Sequence, residues 1–590
     1  MYKIILIVLF LGSQQFGFAQ TALKWWDPIQ HQFPVIEGQA WTSEVKDPYD
    51  RLTSRAQKNV REAVWELSKN SAGLMIRFRS NAEEIIVRYG VRGEHAMNHM
   101  PATGVSGVDL YAIDSDGNWL WCRGRRNFSD TITYHFSGLE PSDNYHKMGR
   151  EYRLYLPLYN SVEWLQIGVK ASDYFRPLPV RKEKPIVVYG TSIAQGACAS
   201  RPGMAWTSIV ERKLDRPLIN LAFSGNGRLE KEMIDLLVEI DAKVYVLDCL
   251  PNLWRSETYS SEEVKQRILE SVRRLKEKRP KVPVLLTEHA GYTDGFISPE
   301  RMTAYRRVNE IQKEALSQLK AEGHKGVYYL SNEEIHLGLD DMVDGTHPND
   351  LGMMHYAEAY EKSLRSLLQE PTGQASTTHP IIQYREPGNY DWEDRHRSIL
   401  ERNATEPPKT VIFANSIIHF WGGLPRSKIV REEDSWEKVF TPMGVKNYAY
   451  GWDRIENVLW RIYHGELDGF YADHVVVMIG TNNLHLNTDM EIIEGLELIT
   501  QAIKTRQPTA KITLMGILPR REQEDRVAKL NAKIKKITHQ ENIEHADLGE
   551  AFLNSENKLE ESYFSDGLHP NAEGYRKLRT VLQPILERKP

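Results

Sequence analysis

An α/β architecture is predicted: two parallel sheets flanked by helices, preceded by a β-sandwich. Three observations predict it. Residues 22–178 carry short alternating runs such as "LMIRFRS", "EIIVRYG", "VDLYAID" and "WLQIGVK" between Gly, Asp, Asn and Pro turns, the pattern of half-buried antiparallel strands. After Arg181 the texture changes to wholly apolar runs, "PIVVYG", "KVYVLDCL" and "PVLLTE", alternating with amphipathic stretches such as "SEEVKQRILESVRRLKEK". Strands covered on both faces need such runs, and the crossovers of a parallel sheet need such helices. A second series follows, with "TVIFAN", "HVVVMIG" and "KITLMGIL" as its strands.

Taken in order, the chain opens with Met1, Tyr2 and Lys3, an apolar run from Ile4 to Gly12, and the small-residue exit Gly17-Phe18-Ala19. This layout suits a secretory signal over residues 1–19, and the run is too short to span a bilayer. With no cysteine after it, a lipoprotein anchor is not expected, so the location read is secreted or periplasmic. Residues 22–178 form the accessory β-sandwich, interrupted by one helix-like stretch, "YDRLTSRAQKNVREAVWELSKN", with no obvious catalytic content. The first α/β domain is placed at 182–370. A Pro-, Gly-, Ser- and Thr-rich segment, "QEPTGQASTTHP", opens a linker and lead-in helix over 371–407, and the second α/β domain takes 408–590.

At 590 residues, 41% apolar and 26% charged, the chain is globular and too long for one core. A net charge of −5 with both signs mixed offers no basic stripe for nucleic acid and no polybasic segment for anionic lipid. The cysteines are Cys122, Cys198 and Cys249, an odd number that cannot make a full disulfide framework; one Cys198–Cys249 bridge and two buried free thiols stay open as alternatives. No H-E-x-x-H, paired C-x-x-C or phosphate-binding glycine loop occurs, so neither a metal nor a cofactor is expected.

The chemistry lies in a duplicated constellation. "IVVYG" runs into Ser192 and "VIFA" into Ser416, each at the carboxyl end of a strand, where open parallel sheets build their sites. Alone, each serine would more often be a helix N-cap. Far downstream the chain repeats D-G-x-H-P-N, as Asp344-Gly345-Thr346-His347-Pro348-Asn349 and Asp566-Gly567-Leu568-His569-Pro570-Asn571. Serine and histidine are 155 residues apart in the first copy and 153 in the second. Chance would rarely match that spacing. A serine hydroxyl is a weak nucleophile until an imidazole accepts its proton, and a carboxylate must fix that imidazole's tautomer. Ser192, Asp344 and His347, and again Ser416, Asp566 and His569, supply those types. Acyl transfer also needs donors for the oxyanion, and Asn252 in "DCLPN" and Asn482 in "GTNN" stand at strand ends, with Gly225 of "SGNG" offering a backbone N–H.

These blocks resemble the SGNH or GDSL hydrolase family over roughly 184–368 and 408–588. The first copy looks like its acylhydrolases, with "GVSGVDLY" resembling the small β-domain that precedes them. The second is similar to platelet-activating-factor acetylhydrolase subunits through "ENVLWRIYHGELDG" and "VVVMIGTNN". The resemblance implies flavodoxin-like domains and short-acyl ester hydrolysis at two sites, the first made of Ser192, Gly225, Asn252, Asp344 and His347. The family's Gly-Asp-Ser is Gly190-Thr191-Ser192 here, and Ala414-Asn415-Ser416 in the second copy. There Trp452 aligns with the oxyanion glycine, with Gly451 one position early. Export points to O-acetyl groups on carbohydrate as the substrate. Two alternatives are a lipid acyl ester, and a second domain that only binds carbohydrate. Trp254 and Trp421 are read as packing, as limits on the acyl group or as platforms that stack on sugar rings.

Overall fold

The structure, a computed structural model, describes residues 22–140, 149–386 and 388–588. The expected signal, residues 1–19, lies outside the described residues.

The N-terminal part is two packed antiparallel sheets. In chain positions, one runs 23–26, 162–170, 84–91, 132–137, 124–127, and the other 175–177, 75–80, 150–155, 109–113, 119–122, with 36–37 beside 75–80. Alternation supplies the shared core: Ile85, Val87 and Tyr89 from one sheet meet Ile76, Phe78 and Leu154 from the other. The opposite face of Met75–Ser80 carries Arg77 and Arg79, and both are buried. Alternation predicts a solvated face there, but this face is an interface. Arg77 donates to Glu151 at 3.0 Å and to Glu393 of the lead-in helix, and Arg153 reaches Glu211 and Asp215 of the first α/β domain at 2.9 and 2.7 Å. A buried ion pair is expensive to break by removing one partner, about 3–5 kcal/mol, so these contacts fix how the parts meet.

Each later sheet is five-stranded and wholly parallel. The order along the sheet is 218–222, 186–190, 244–248, 284–287, 327–330 in the first and 445–449, 410–414, 474–478, 511–515, 544–546 in the second. In both, the earliest strand lies inside and the chain leaves it first to one side and then to the other. That reversal opens a crevice at the strand's carboxyl end, where Ser192 and Ser416 follow. Burial on both faces explains the unbroken apolar strands: Val187 and Tyr189 enter one core and Ile186 and Val188 the other. Val411 and Phe413, and Ile412 and Ala414, do the same in the second sheet. The helix Ser261–Lys278 covers one face with Val264, Ile268, Val272 and Leu275, worth about 1.5–3 kcal/mol each, and Ser260 caps it by accepting from Glu263 N–H at 3.2 Å.

One local expectation changes and one open alternative is decided. The stretch 49–70 is not one helix but a short 3-10 turn, Ser54–Lys58, and a short helix, Glu62–Leu67. Arg51 is the reason: wholly buried, it donates to the carbonyls of Leu67, Asn70, Asn220 and Ala222, tying this segment to the sheet edge instead of leaving it to continue as a helix. The cysteines are free and buried, with Cys198 Sγ 3.3 Å from the His99 carbonyl and Cys249 Sγ 3.5 Å from that of Tyr189, so no bridge joins them. Among the described residues no helix is long and apolar enough to cross a membrane.

Candidate active sites

Both strand-end serines begin a short helical turn, Ser192–Gln195 and Ser416–His419. Ser192 Oγ lies 2.9 Å from His347 Nε2, and His347 Nδ1 lies 2.8 Å from Asp344 Oδ2. In the second copy the same distances are 2.8 Å, Ser416 to His569, and 2.8 Å, His569 to Asp566. The structure therefore brings together all six residues singled out by spacing.

The motif D-G-x-H-P-N closes each relay within a single loop. The other oxygen of Asp344 accepts the backbone N–H of His347 at 2.8 Å and of Thr346 at 3.0 Å; Asp566 accepts those of His569 and Leu568 at 2.7 and 3.0 Å. Gly345 and Gly567 take left-handed φ of 75° and 79°, which the turn between Asp and His requires. Asn349 and Asn571 then cap the helices Asp350–Leu368 and Ala572–Glu587. Partial burial alone would raise both aspartates; the hydrogen bonds and charge of their histidines outweigh it and hold them below the ordinary value. His569 itself is lowered, chiefly by burial, against the opposing pull of Asp566.

The oxyanion side differs between copies. At the first, Gly225 has φ 69° with open space above its Cα, and neither its N–H nor that of Ser192 donates to an acceptor among the described residues. The orientation that satisfies Asn252 lets its Oδ1 accept from Asn226 and Gly227 N–H, each at 3.0 Å, so its Nδ2 turns the other way. At the second, Trp452 holds the same left-handed conformation, φ 62°, and is 41% exposed. Asn482 Nδ2 instead donates to the Asp453 carbonyl at 2.9 Å.

Several contributors escaped the sequence reading. Three residues after each serine, Gln195 and His419 accept from the residue preceding the oxyanion position: Ser224 N–H at 2.9 Å and Gly451 N–H at 2.9 Å. This shared contact makes Trp452 the counterpart, in the second copy, of Gly225 in the first. Arg61, from the stretch assigned no role, donates to Asn226 at 2.7 Å and pairs with Glu230, bracing the first oxyanion loop. The second loop is braced by the lead-in segment: Gln383 and Tyr390 donate to the Gly451 carbonyl at 2.9 and 2.7 Å, and Arg385 to that of Trp452 at 3.3 Å. A side chain at 451 would collide with Glu386, whose carboxyl burial pushes up to about 7. No local pattern announces the bracing partners, which lie 61 or more residues away, and Gln195 and His419 meet their partners only across 29 and 32 residues. Trp421 is core, wholly buried against Trp436, Phe440 and Tyr575, whereas Trp254 is half-buried beside Tyr292.

A serine, a histidine and an aspartate in hydrogen-bonded series at the switch point of a parallel sheet define the serine acylhydrolase class. Residues 183–365 and 415–577 match models of the GDSL-like lipase/acylhydrolase family, and 23–175 matches the N-terminus of Esterase SGNH hydro-type. The two acylhydrolase matches together span more than half of the chain, and the chain belongs to that family as a tandem of two such domains. It is similar to platelet-activating factor acetylhydrolase IB subunit alpha2 of Homo sapiens, 29% identical over 212 residues, 34% of this chain and 88% of that protein. It is also similar to subunit alpha1 of Bos taurus, 25% identical over 206 residues, 34% and 84% respectively. A crystal structure from Bacteroides ovatus described as a GDSL-like lipase matches at 29% identity and TM-score 0.54, over 59% of this chain and 98% of that one.

Proposed function

We propose that this acylhydrolase is an exported esterase that removes short acyl groups, acetyl foremost, from carbohydrate at two sites, Ser192-His347-Asp344 and Ser416-His569-Asp566. The observation that carries the reading is the relay found twice, each serine oxygen within 2.9 Å of an imidazole nitrogen. Serine Oγ attacks the ester carbonyl carbon while histidine Nε2 takes its proton, and aspartate holds the Nδ1 proton and stabilises the imidazolium. The oxyanion is met at the first site by N–H of Ser192 and Gly225 and by Asn252 Nδ2. Histidine then protonates the leaving alcohol, and water repeats the sequence on the acyl-enzyme. At the second site Ser416 N–H, Trp452 N–H and Asn482 take these roles.

Two features support a small acyl group on a bulky alcohol. The histidine side chains are 21% and 18% exposed and the aspartates 39% and 48%, so the acid side of each relay is open to solvent, where a large alcohol can approach. The names of the curated relatives specify acetyl hydrolysis by those proteins. The test is a short-chain chromogenic acetyl ester with Ser192→Ala, Ser416→Ala and the double variant. Each single variant is expected to remove a separable part of the rate, and the double variant to lose it; a double variant at wild-type rate overturns the reading. Acetate release from acetylated polysaccharide supports the substrate class, whereas activity confined to phospholipid esters overturns it.

A further inference from the structure

We propose that His99, Cys198 and His347 form a binding site for a thiophilic divalent cation of the Zn2+ class, which switches off the first serine site and leaves the second running. The proposal rests on reading His347 as the base of that site.

The three residues come from separate parts of the chain. His99 sits on a loop of the N-terminal β-sandwich, Cys198 in the turn after the Ser192 helix, and His347 in the D-G-x-H loop. One ligating atom from each lies within 4.8 Å of the others. The rings of His99 and His347 are 5.8 Å apart, and Cys198 Sγ lies 3.3 Å from the His99 carbonyl. A tetrahedral ion with Zn–S of about 2.3 Å and Zn–N of about 2.1 Å needs its ligands roughly 3.5 Å apart. His99 is exposed, with its ring already beside that of His347, so a side-chain rotation on binding would close that difference and solvent would supply the fourth ligand. The neighbouring backbone is already held: Thr103 donates to the Ser200 carbonyl at 2.7 Å, and Ser200 N–H to Asp350 at 2.8 Å, locking the sandwich loop against the cysteine turn. Cys198 itself takes φ 68°, a left-handed conformation that residues with a side chain rarely adopt.

The chemistry is simple exchange. Cys198 gives its proton to solvent, the thiolate and two imidazole lone pairs bind the cation, and nothing is oxidised or reduced. Both ring nitrogens of His347 are engaged in the relay, one with Ser192 and one with Asp344. Coordination through either one removes the acceptor of the serine proton. The second copy lacks the ligands: the ring against His569 is Phe420, centroids 5.4 Å apart, and the residue six after the serine is Gly422. It is an internal control.

The experiment uses the full chain freed of metal by a chelator, with Ser416→Ala reporting the first site and Ser192→Ala the second. Added Zn2+ is expected to lower acetyl-ester hydrolysis by Ser416→Ala roughly tenfold or more, reversibly on chelation, and to leave Ser192→Ala unchanged. His99→Ala and Cys198→Ser, each in the Ser416→Ala chain, keep the basal rate and raise the half-inhibiting Zn2+ concentration about tenfold. Binding is read separately with Cd2+, whose thiolate charge-transfer band is expected at one ion per chain and lost in Cys198→Ser. Equal inhibition of both single-serine variants, or no band with wild-type Cys198, overturns the proposal. A Cd2+ band in a chain without esterase activity would overturn the esterase reading and leave the metal site standing.

Discussion

At the first serine, Asn252 turns its carbonyl onto two backbone N–H groups; at the second, Asn482 gives its amide to a backbone carbonyl. Around these asparagines the two copies have diverged, while the relays agree to within 0.1 Å at both hydrogen bonds. The difference follows from how each half is built. Asp, Gly, His, Pro and Asn of one loop close the relay's acid side among themselves, so the geometry travels with the motif. The oxyanion loop draws on distant chain: Arg61 holds the first, and Gln383, Arg385 and Tyr390 hold the second. Asp453 beside Trp452 is wholly buried, bonded to Arg461 and Trp392 at 2.9 Å each, which fixes the second loop further. Where partners are remote, each copy is free to change.

The comparison breaks most visibly at the asparagines. In the Ser416→Ala chain, Asn252→Ala is expected to lower kcat about 10²–10³-fold, the usual loss for one oxyanion donor. In the Ser192→Ala chain, Asn482→Ala should lower it by about tenfold or less, because one of the two Nδ2 hydrogens is given to the Asp453 carbonyl and only the other is left for the oxyanion. Equal losses would show that the two oxyanion holes work alike. Next, Arg61→Ala should slow the first site about tenfold through a misplaced loop and leave the second untouched, read as kcat on the two single-serine variants.

The sheets also differ at one position beside the first strand, where Asp248 pairs with Gly190 but Met478 with Ala414. Burial raises Asp248 to about 7, against a hydrogen bond from Tyr360. Between the unfolded value near 3.9 and about 7 the folded chain keeps a proton that the unfolded chain has lost, so stability falls as pH rises through that window. Asp248→Asn should flatten the pH dependence of Tm there; an unchanged slope would reject this role.

For the second site, burial lowers His569, and a base must be unprotonated to act. The acid limb of kcat/KM for Ser192→Ala is therefore expected below pH 6.5, and a limb above it would contradict the burial argument. The smallest effect concerns Trp452. Trp452→Gly removes a left-handed tryptophan and should shift stability by about 1 kcal/mol or less, with longer acyl esters gaining relative to acetyl at the second site. An unchanged acyl preference would place the ring away from the acyl group.

Much of this is legible in the amino-acid sequence. Strand texture is a local consequence of burial on one face or two, so the sandwich and both parallel sheets could be read from apolar periodicity. The relay residues could be paired because one loop motif recurs at nearly equal distance from a strand-end serine. The limits were equally physical. Residues 49–70 carry helix-forming side chains, yet Arg51 claims the carbonyls at the end of that stretch. Arg77 and Arg79 have the alternation of a wet face, and only the domains packed over them make that face dry.

The sequence by itself determined the α/β class, the tandem arrangement and six relay residues, because each depends on periodicity or on a motif that closes on itself. Only the tertiary structure decided which way Asn252 and Asn482 face, that Cys198 stands free beside His99 and His347, and that distant arms brace each oxyanion loop. Those are contacts between segments far apart in the chain, and nothing in local composition encodes which distant backbone a side chain will meet.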